Sequence, residues 1–220
     1  MRSWNKIPSP INNECSKRYY DHIKHKCFYR FLKRAFDIFA SLFLLSLLFL
    51  PSLIIGLIIV FDSRGGMFFC QTRVGRYGKE FRIIKFRTMR KDSEGDMHVT
   101  HKDDNRITKV GKFLRKTHLD EFPQLLNVFI GQMSFIGTRP EVPFFVNQYK
   151  DEYYATLLMR PGITSTASYS CDDEAKFMEE GNANEVYINK VLPYKMKFNL
   201  EDIEKLSIFR DIKILLKTVF

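Results

Sequence analysis

Apolar positions fall into three patterns along the chain, and each pattern predicts a different element. From Ile38 to Phe61 every residue is uncharged. About 24 such residues at roughly 1.5 Å each would cross a bilayer core of about 30 Å with tilt to spare. Pro51-Ser52 interrupts this run, and a proline removes a ladder hydrogen bond and bends a helix. From Met67 the pattern changes to short apolar runs separated by glycine. Met67–Gln71 and Phe81–Phe86 read as strands, and the basic, glycine-containing stretch Arg73–Lys79 between them makes a β-hairpin. Further on the spacing becomes helical: 107–115, 124–130, 144–159, 187–205 and 207–220, the last with Ile208, Ile212, Leu215, Leu216 and Val219 on one face. Residues 131–141 read as an extended segment closed by a turn, 160–164 as a turn, 91–104 as a polar loop and 172–186 as an acidic surface helix plus loop. Residues 1–32 show no clear period and read as a basic, loosely ordered tail, with room for a surface helix over 16–30. No internal repeat or second domain is visible, so the pattern predicts one α+β domain, 33–220, with a membrane-embedded segment at 38–61.

Charge sharpens the membrane question. Lys24, Lys26, Arg30, Lys33 and Arg34 precede the apolar run, and Arg64, Arg73, Arg76, Lys79, Arg82, Lys85 and Arg87 follow it. A simple span needs a charge asymmetry between its flanks, and here both are basic. A helical hairpin that dips into one leaflet and returns suits both flanks; a span is the other reading. The net charge of +10 calls for an anionic partner: nucleic acid, a phospholipid surface or a phosphorylated substrate. A nucleic-acid module has no use for a bilayer-length apolar segment, so that reading is poor. Four cysteines without a short-spaced pair argue against a zinc site or a disulfide framework and suit a reducing compartment. His98 and His101 lack a further ligand nearby and read as solvated loop. The N-terminus is not read as a signal peptide, because no short apolar run with a small-residue cleavage site follows the first residues.

The candidate chemistry sits at Asp120-Glu121. Pro123 and the apolar run Leu125, Leu126, Val128, Phe129 follow, so the acidic pair reads as the first turn of a helix. There the unpaired N–H groups and the dipole favour negative charge, and helix starts also receive phosphate. Neighbouring helical residues point about 100° apart, so the two carboxylates would do different jobs. One would act as nucleophile or base, and the other would hold a divalent metal. The plainer reading is a solvated helix cap.

Eight blocks in order resemble the bacterial sugar transferases of the monotopic phosphoglycosyl transferase family. They are Lys33-Arg34-Ala35-Phe36-Asp37, Phe68-Phe69-Cys70-Gln71-Thr72-Arg73-Val74-Gly75, Lys85-Phe86-Arg87-Thr88-Met89, Arg106-Ile107-Thr108, Leu119-Asp120-Glu121-Phe122-Pro123-Gln124-Leu125, Met133-Ser134-Phe135-Ile136-Gly137-Thr138-Arg139-Pro140, Arg160-Pro161-Gly162-Ile163-Thr164 and Asp211-Ile212-Lys213-Ile214-Leu215. The resemblance implies a re-entrant membrane helix with both ends cytosolic, attached to a small domain with a β-hairpin and several amphipathic interfacial helices at the inner face of the bacterial plasma membrane. It implies transfer of a sugar 1-phosphate from a nucleoside diphosphate sugar, expected to be a UDP-sugar, to polyprenol phosphate. UMP would leave, and assembly of a surface polysaccharide or glycoconjugate would begin. By the same mapping Asp120 is the nucleophile, forming a covalent phosphosugar intermediate, and Glu121, with Asp120 beside it, binds Mg2+. Arg139 and Pro140 contact phosphate, with Lys85, Arg87 and Arg160 also carried over as substrate-binding residues. For Arg87 and Arg160 the plain alternative is a surface cation or a structural ion pair. The rival function is a non-catalytic basic protein bound to anionic lipid.

This chain departs from the family pattern in places. Pro51-Ser52 reverses the usual Ser-Pro order. Gln132 replaces an acidic residue, Thr138 a common proline, Glu141-Val142-Pro143 a more aliphatic stretch, and Asn199 an aspartate. These positions are read as marks of a subgroup with a different sugar.

Overall fold

The structure, a computed structural model, describes residues 1–90, 105–170 and 183–219. The expected polar loop 91–104, with His98 and His101, and the acidic stretch through residue 182 lie outside the described residues. After α1 (Glu14–His25), helices α2 (Cys27–Leu47) and α3 (Phe49–Asp62) meet at Leu48, where their axes bend by 61°. Pro51 has no N–H for the Leu47 carbonyl four residues earlier, so the ladder fails there. It occupies the first turn of α3, where that loss is tolerated. The bonds on either side survive, from Leu48 N to the Leu44 carbonyl and from Ser52 N to the Leu48 carbonyl, both 2.8 Å. The bend is therefore confined to one residue.

Among the described residues no single helix is long and apolar enough to cross a membrane. With 14 residues, α3 is about 21 Å long. Phe39, Phe43, Leu47, Phe49, Leu50 and Phe61 of the pair are all exposed, an apolar surface far larger than a water-facing protein tolerates.

The helix α2 starts well before the apolar run because its first half docks on the domain. Lys33 Nζ and Tyr29 Oη bond Asp211 at 2.7 and 2.8 Å. Arg34 donates to the Val128 and Phe129 carbonyls, both at 2.8 Å. Buried Asp37 accepts from Ser134 Oγ (3.0 Å) and Phe135 N (3.1 Å). The block 33–37 thus anchors the apolar arm to the domain.

The expected hairpin forms from β1 (Phe68–Val74) and β2 (Glu80–Phe86), antiparallel with Phe68 opposite Phe86 and Val74 opposite Glu80. Next come α4 (Lys109–Lys116), α5 (Gln124–Ile130), β3 (Ser134–Ile136), α6 (Pro143–Val146), β4 (Gly162–Thr164) and α7 (Thr166–Ser170). A short α8 (Ala183–Val186) runs through a π turn at Tyr187–Val191 into α9 (Leu192–Glu204), and α10 (Ile208–Val219) ends the described chain.

Three expectations change. Residues 160–164, read as a turn, contain β4, which pairs in parallel with β3. Glycine permits this: a Cβ on Gly162 would lie 2.1 Å from Gly137 N, so the backbones touch. Residues 144–159 do not form one helix. The short α6 gives way to 3-10 turns over Asp151–Leu158, in which Ala155, Thr156, Leu157 and Leu158 are buried in succession. Four consecutive buried residues leave no wet face for an amphipathic helix. Finally, the N-terminal residues are not loose. Ile7, Ile11, Tyr19, Tyr20 and Ile23 pack with Val142, Phe145, Leu158, Leu192 and Met196 in the largest core cluster. Asn13 caps α1 through Ser16 N (2.7 Å) and donates to the Asp151 carbonyl (2.9 Å).

Candidate active site

The acidic pair is delivered by a chain reversal between α4 and α5. His118 adopts a left-handed conformation (φ 55°, ψ 14°), uncommon for a side chain with a Cβ, and ends the segment after α4. Leu119–Glu121 then form a single 3-10 turn, and Phe122-Pro123 lead into α5. The pair therefore precedes the α-helix by a turn rather than opening it. Leu119 and Phe122 pack against the buried cluster of Ile59, Phe86 and Leu114, so the turn rests on α3, on β2 and on α4. Buried Asn127 fixes α5 against β2: its amide donates to the Arg82 carbonyl (2.8 Å) and its oxygen accepts from Ile84 N (3.1 Å). That registers Lys85, the next residue, beneath the acidic turn.

Glu121 is clamped. Its Oε1 accepts from Lys85 Nζ at 2.8 Å and from Arg139 Nη2, and its Oε2 accepts from Arg139 Nη1 at 3.2 Å. Arg139 is itself held by the Ile163 carbonyl (3.3 Å), at the junction of β3 and β4. Burial alone would raise the Glu121 pKa, but the Arg139 guanidinium and then the Lys85 ammonium overcome it and hold the carboxyl well below the usual range. Burial pulls Lys85 below its usual value, with Arg139 adding to the effect and Glu121 opposing it. Asp120 behaves oppositely. Burial raises its pKa, Lys85 opposes this and Glu121 reinforces it; no hydrogen bond to its carboxylate occurs among the described residues. The expected helix start would favour the ionised form, whereas the shift is upward with burial as its largest cause.

The other expected site residues separate into two sets. Pro140 is buried beside Arg139, its carbonyl accepting from Arg73 Nη1 at 3.0 Å. Arg87 is buried and turned away from the pair: its guanidinium donates to the carbonyls of Ile59 (3.2 Å), Ser63 (2.7 Å) and Arg64, closing the C-terminal end of α3. Arg160 donates Nε to the Gly131 carbonyl (2.8 Å) at the far end of α5, where Arg34 also binds. Both bond backbone carbonyls, which is neither the surface cation nor the ion pair named as the plain alternative. Gln132, one of the departures, accepts from Asn127 Nδ2 at 2.7 Å and serves the same α5–β2 junction. Glu141 accepts from Tyr187 Oη at 2.5 Å and is buried. Asn127 and Asp37 were not singled out as positioning residues. Their partners lie 43 to 98 positions away, beyond any local signal.

The pair suits magnesium in donor chemistry. This hard cation is commonly held by one or two carboxylates together with substrate phosphates. Among the described residues the Asp120 carboxylate has no hydrogen-bond partner, whereas both Glu121 oxygens are engaged by cations. No cluster of three or more acidic, His or Cys ligands occurs among the described residues.

The acidic pair, flanked by a lysine and an arginine, sits on a small domain that carries a bent pair of apolar helices. The chain belongs to the bacterial sugar transferase family, whose description matches residues 28–220. It is 38% identical over 196 residues to a UDP-glucose:undecaprenyl-phosphate glucose-1-phosphate transferase of Escherichia coli (strain K12), covering 87% of this chain and 40% of that one. An undecaprenyl-phosphate glucose phosphotransferase of Komagataeibacter xylinus is 36% identical over 195 residues, 85% of this chain and 35% of its own. A Caulobacter vibrioides protein of the same name as the E. coli one is 35% identical over 192 residues, 85% of this chain and 68% of its own. The chain thus spans less than half the length of the E. coli and Komagataeibacter relatives.

Proposed function

We propose that this chain is an enzyme that transfers a sugar 1-phosphate from a UDP-sugar to a polyprenol phosphate such as undecaprenyl phosphate, at the cytosolic face of a bacterial plasma membrane. The observation that carries the reading is the contrast within the pair: Glu121 is clamped by Lys85 and Arg139, while the Asp120 carboxylate beside it has no hydrogen bond among the described residues. The names of the relatives supply the reaction class.

Asp120 attacks the sugar-bearing phosphorus, the bond from that phosphorus to the bridging oxygen breaks, and UMP leaves with the oxygen. An oxygen of the polyprenol phosphate then attacks the aspartyl phosphosugar, returning the Asp120 carboxylate and forming the polyprenol diphosphosugar. Two steps avoid the direct meeting of two anions. Lys85 and Arg139 pass from Glu121 to the incoming phosphate oxygens, with Arg139 offering a planar fork to them. Asp120 and Glu121 would hold magnesium, which supplies neutralisation of the diphosphate charge when bound. The bent pair α2–α3 dips into one leaflet and keeps both ends on the cytosolic side. This places the Leu119–Glu121 turn, seated on α3, at the membrane surface where the lipid phosphate lies.

The test is a panel of nucleotide sugars with magnesium and polyprenol phosphate, scored by release of nucleoside monophosphate. At least one sugar should release it, and Asp120→Asn should abolish that release. Release from none would favour the non-catalytic lipid-binding reading. Cysteines placed at either end of residues 38–61 should be labelled only from the cytosolic side; labelling from opposite sides would replace the hairpin with a span.

A further inference from the structure

A cavity of about 250 Å³ lies away from the acidic pair, and none of Asp120, Glu121, Lys85 or Arg139 lines it. Its walls carry Arg30, Lys33 and Arg34 from α2, Arg76 from the hairpin turn, Arg160, and a single carboxylate, Asp37. That carboxylate is committed to Ser134 and Phe135. Lys33 is already neutralised by Asp211. Four guanidinium groups therefore share a small space with no acidic partner among the described residues. Arg34, Arg76 and Arg160 each spend bonds on backbone carbonyls, which neutralise nothing: Val128 and Phe129, Leu158, and Gly131 respectively.

Arg30 stands apart. Among the described residues its Nη2 bonds Cys27 Sγ alone, at 3.2 Å in the preceding helical turn, and its Nε is buried without a hydrogen-bond partner. A buried charged donor left unpaired costs free energy unless something else occupies the site. Burial pulls Arg76 below its usual pKa, and Arg160 and Arg30 pull it the same way through like-charge repulsion.

Position narrows the occupant. Arg30 and Arg34 lie on the half of α2 just ahead of Ile38, so the cavity is only about 6 Å along the helix from the start of the apolar arm. Phe31 lines the cavity and is 70% exposed, giving it an apolar lip. We propose that this cavity is a second anion site, built to take a phosphate group through Arg30, Arg76 and Arg160, with the phosphate of a membrane lipid headgroup as the source its position favours. Guanidinium groups converging from three elements suit a tetrahedral, multiply charged oxyanion.

The site is independent of the transferase reading and is tested without turnover. The full chain in neutral detergent is titrated with short-chain phosphatidylglycerol, with the matching diacylglycerol, and with inorganic phosphate at constant ionic strength, following thermal unfolding. Phosphatidylglycerol should raise Tm saturably and diacylglycerol should not. Arg30→Gln should weaken the apparent affinity about tenfold or more, consistent with loss of one charge-assisted contact, and Arg30→Lys should recover part of it. Arg30 supports only a contact within its own helix, so these variants should fold; an unchanged Tm without ligand checks this. Saturable stabilisation by inorganic phosphate as strong as by the lipid also supports the phosphate site and moves its source to a soluble phosphate. No stabilisation by either, or the same affinity in Arg30→Gln, overturns the proposal.

Discussion

The two ends of α5 are both met by cations, and the cations do opposite work. Before its N-terminal end, Lys85 and Arg139 converge on a carboxylate, Glu121, in a cleft where Arg139 keeps 40% of its side chain exposed. At its C-terminal end, Arg34 and Arg160 bind the carbonyls of Val128, Phe129 and Gly131, which an α-helix leaves without internal partners. The first arrangement can exchange its carboxylate for a phosphate, because an anion replaces an anion. The second cannot let go of its carbonyls without unsealing the helix. An arginine in a phosphate-associated sequence block can therefore have either role; Arg160 spends only its Nε on Gly131 among the described residues, which leaves its Nη groups for the anion proposed above.

The largest effect expected at the N-terminal end is on turnover. Asp120→Asn should cut sugar-phosphate transfer by on the order of 10³-fold or more, as removal of a nucleophile does, with no loss of Tm. The second half follows from the sign of the pKa shift. A raised folded-state value means that Asp120 contributes stability at low pH and loses it as pH rises through that value, so a neutral amide costs nothing near neutrality.

Glu121→Gln should differ from Asp120→Asn in costing stability as well. It leaves Lys85 and Arg139 without their anion, which should cost about 2–3 kcal/mol near pH 7, less than the ~3–5 of a fully buried pair because Arg139 is partly exposed. The depressed Glu121 pKa gives stability that is complete above the unfolded value and lost as pH falls toward the folded one. The Tm gap between the natural protein and Glu121→Gln should therefore shrink steadily as pH is lowered through the carboxylate range. A gap independent of pH would mean that the clamp is not the source.

The capping cations should move stability rather than chemistry. Arg87→Met strips three carbonyl contacts from the end of α3 and should cost about 2 kcal/mol in chemical unfolding. Arg34→Gln should cost about 1 kcal/mol. In both, transfer per folded molecule should stay within a few-fold of the natural protein. A hundredfold loss at Arg87 with normal stability would return it to the substrate site.

The division between these roles was only partly legible in the sequence. Short apolar runs around a glycine-containing turn located the hairpin, and helical spacing located α4, α5 and the C-terminal helices. The proline located the bend between α2 and α3. The acidic pair was visible as Asp120-Glu121 before Pro123, yet its 3-10 turn and the clamp on Glu121 were not, since both depend on Lys85 and Arg139 arriving 36 and 18 positions away. Arg87 and Arg160 were visible as charges, and nothing local distinguishes a charge aimed at a carbonyl from one aimed at a phosphate. The N-terminal segment was misread for a related reason. Ile7, Ile11 and Tyr19 are irregularly spaced, and their core partners are supplied by 142–203.

The central claim, that Asp120 carries the sugar phosphate, is tested most directly without the acceptor. The full chain, incubated with magnesium and the UDP-sugar that it turns over but no polyprenol phosphate, should release UMP once per enzyme. It should also gain the mass of one sugar phosphate on the peptide containing Asp120, and adding polyprenol phosphate should remove that mass. Steady turnover with acceptor, but neither the stoichiometric burst nor the added mass without it, would contradict the account and point to direct transfer.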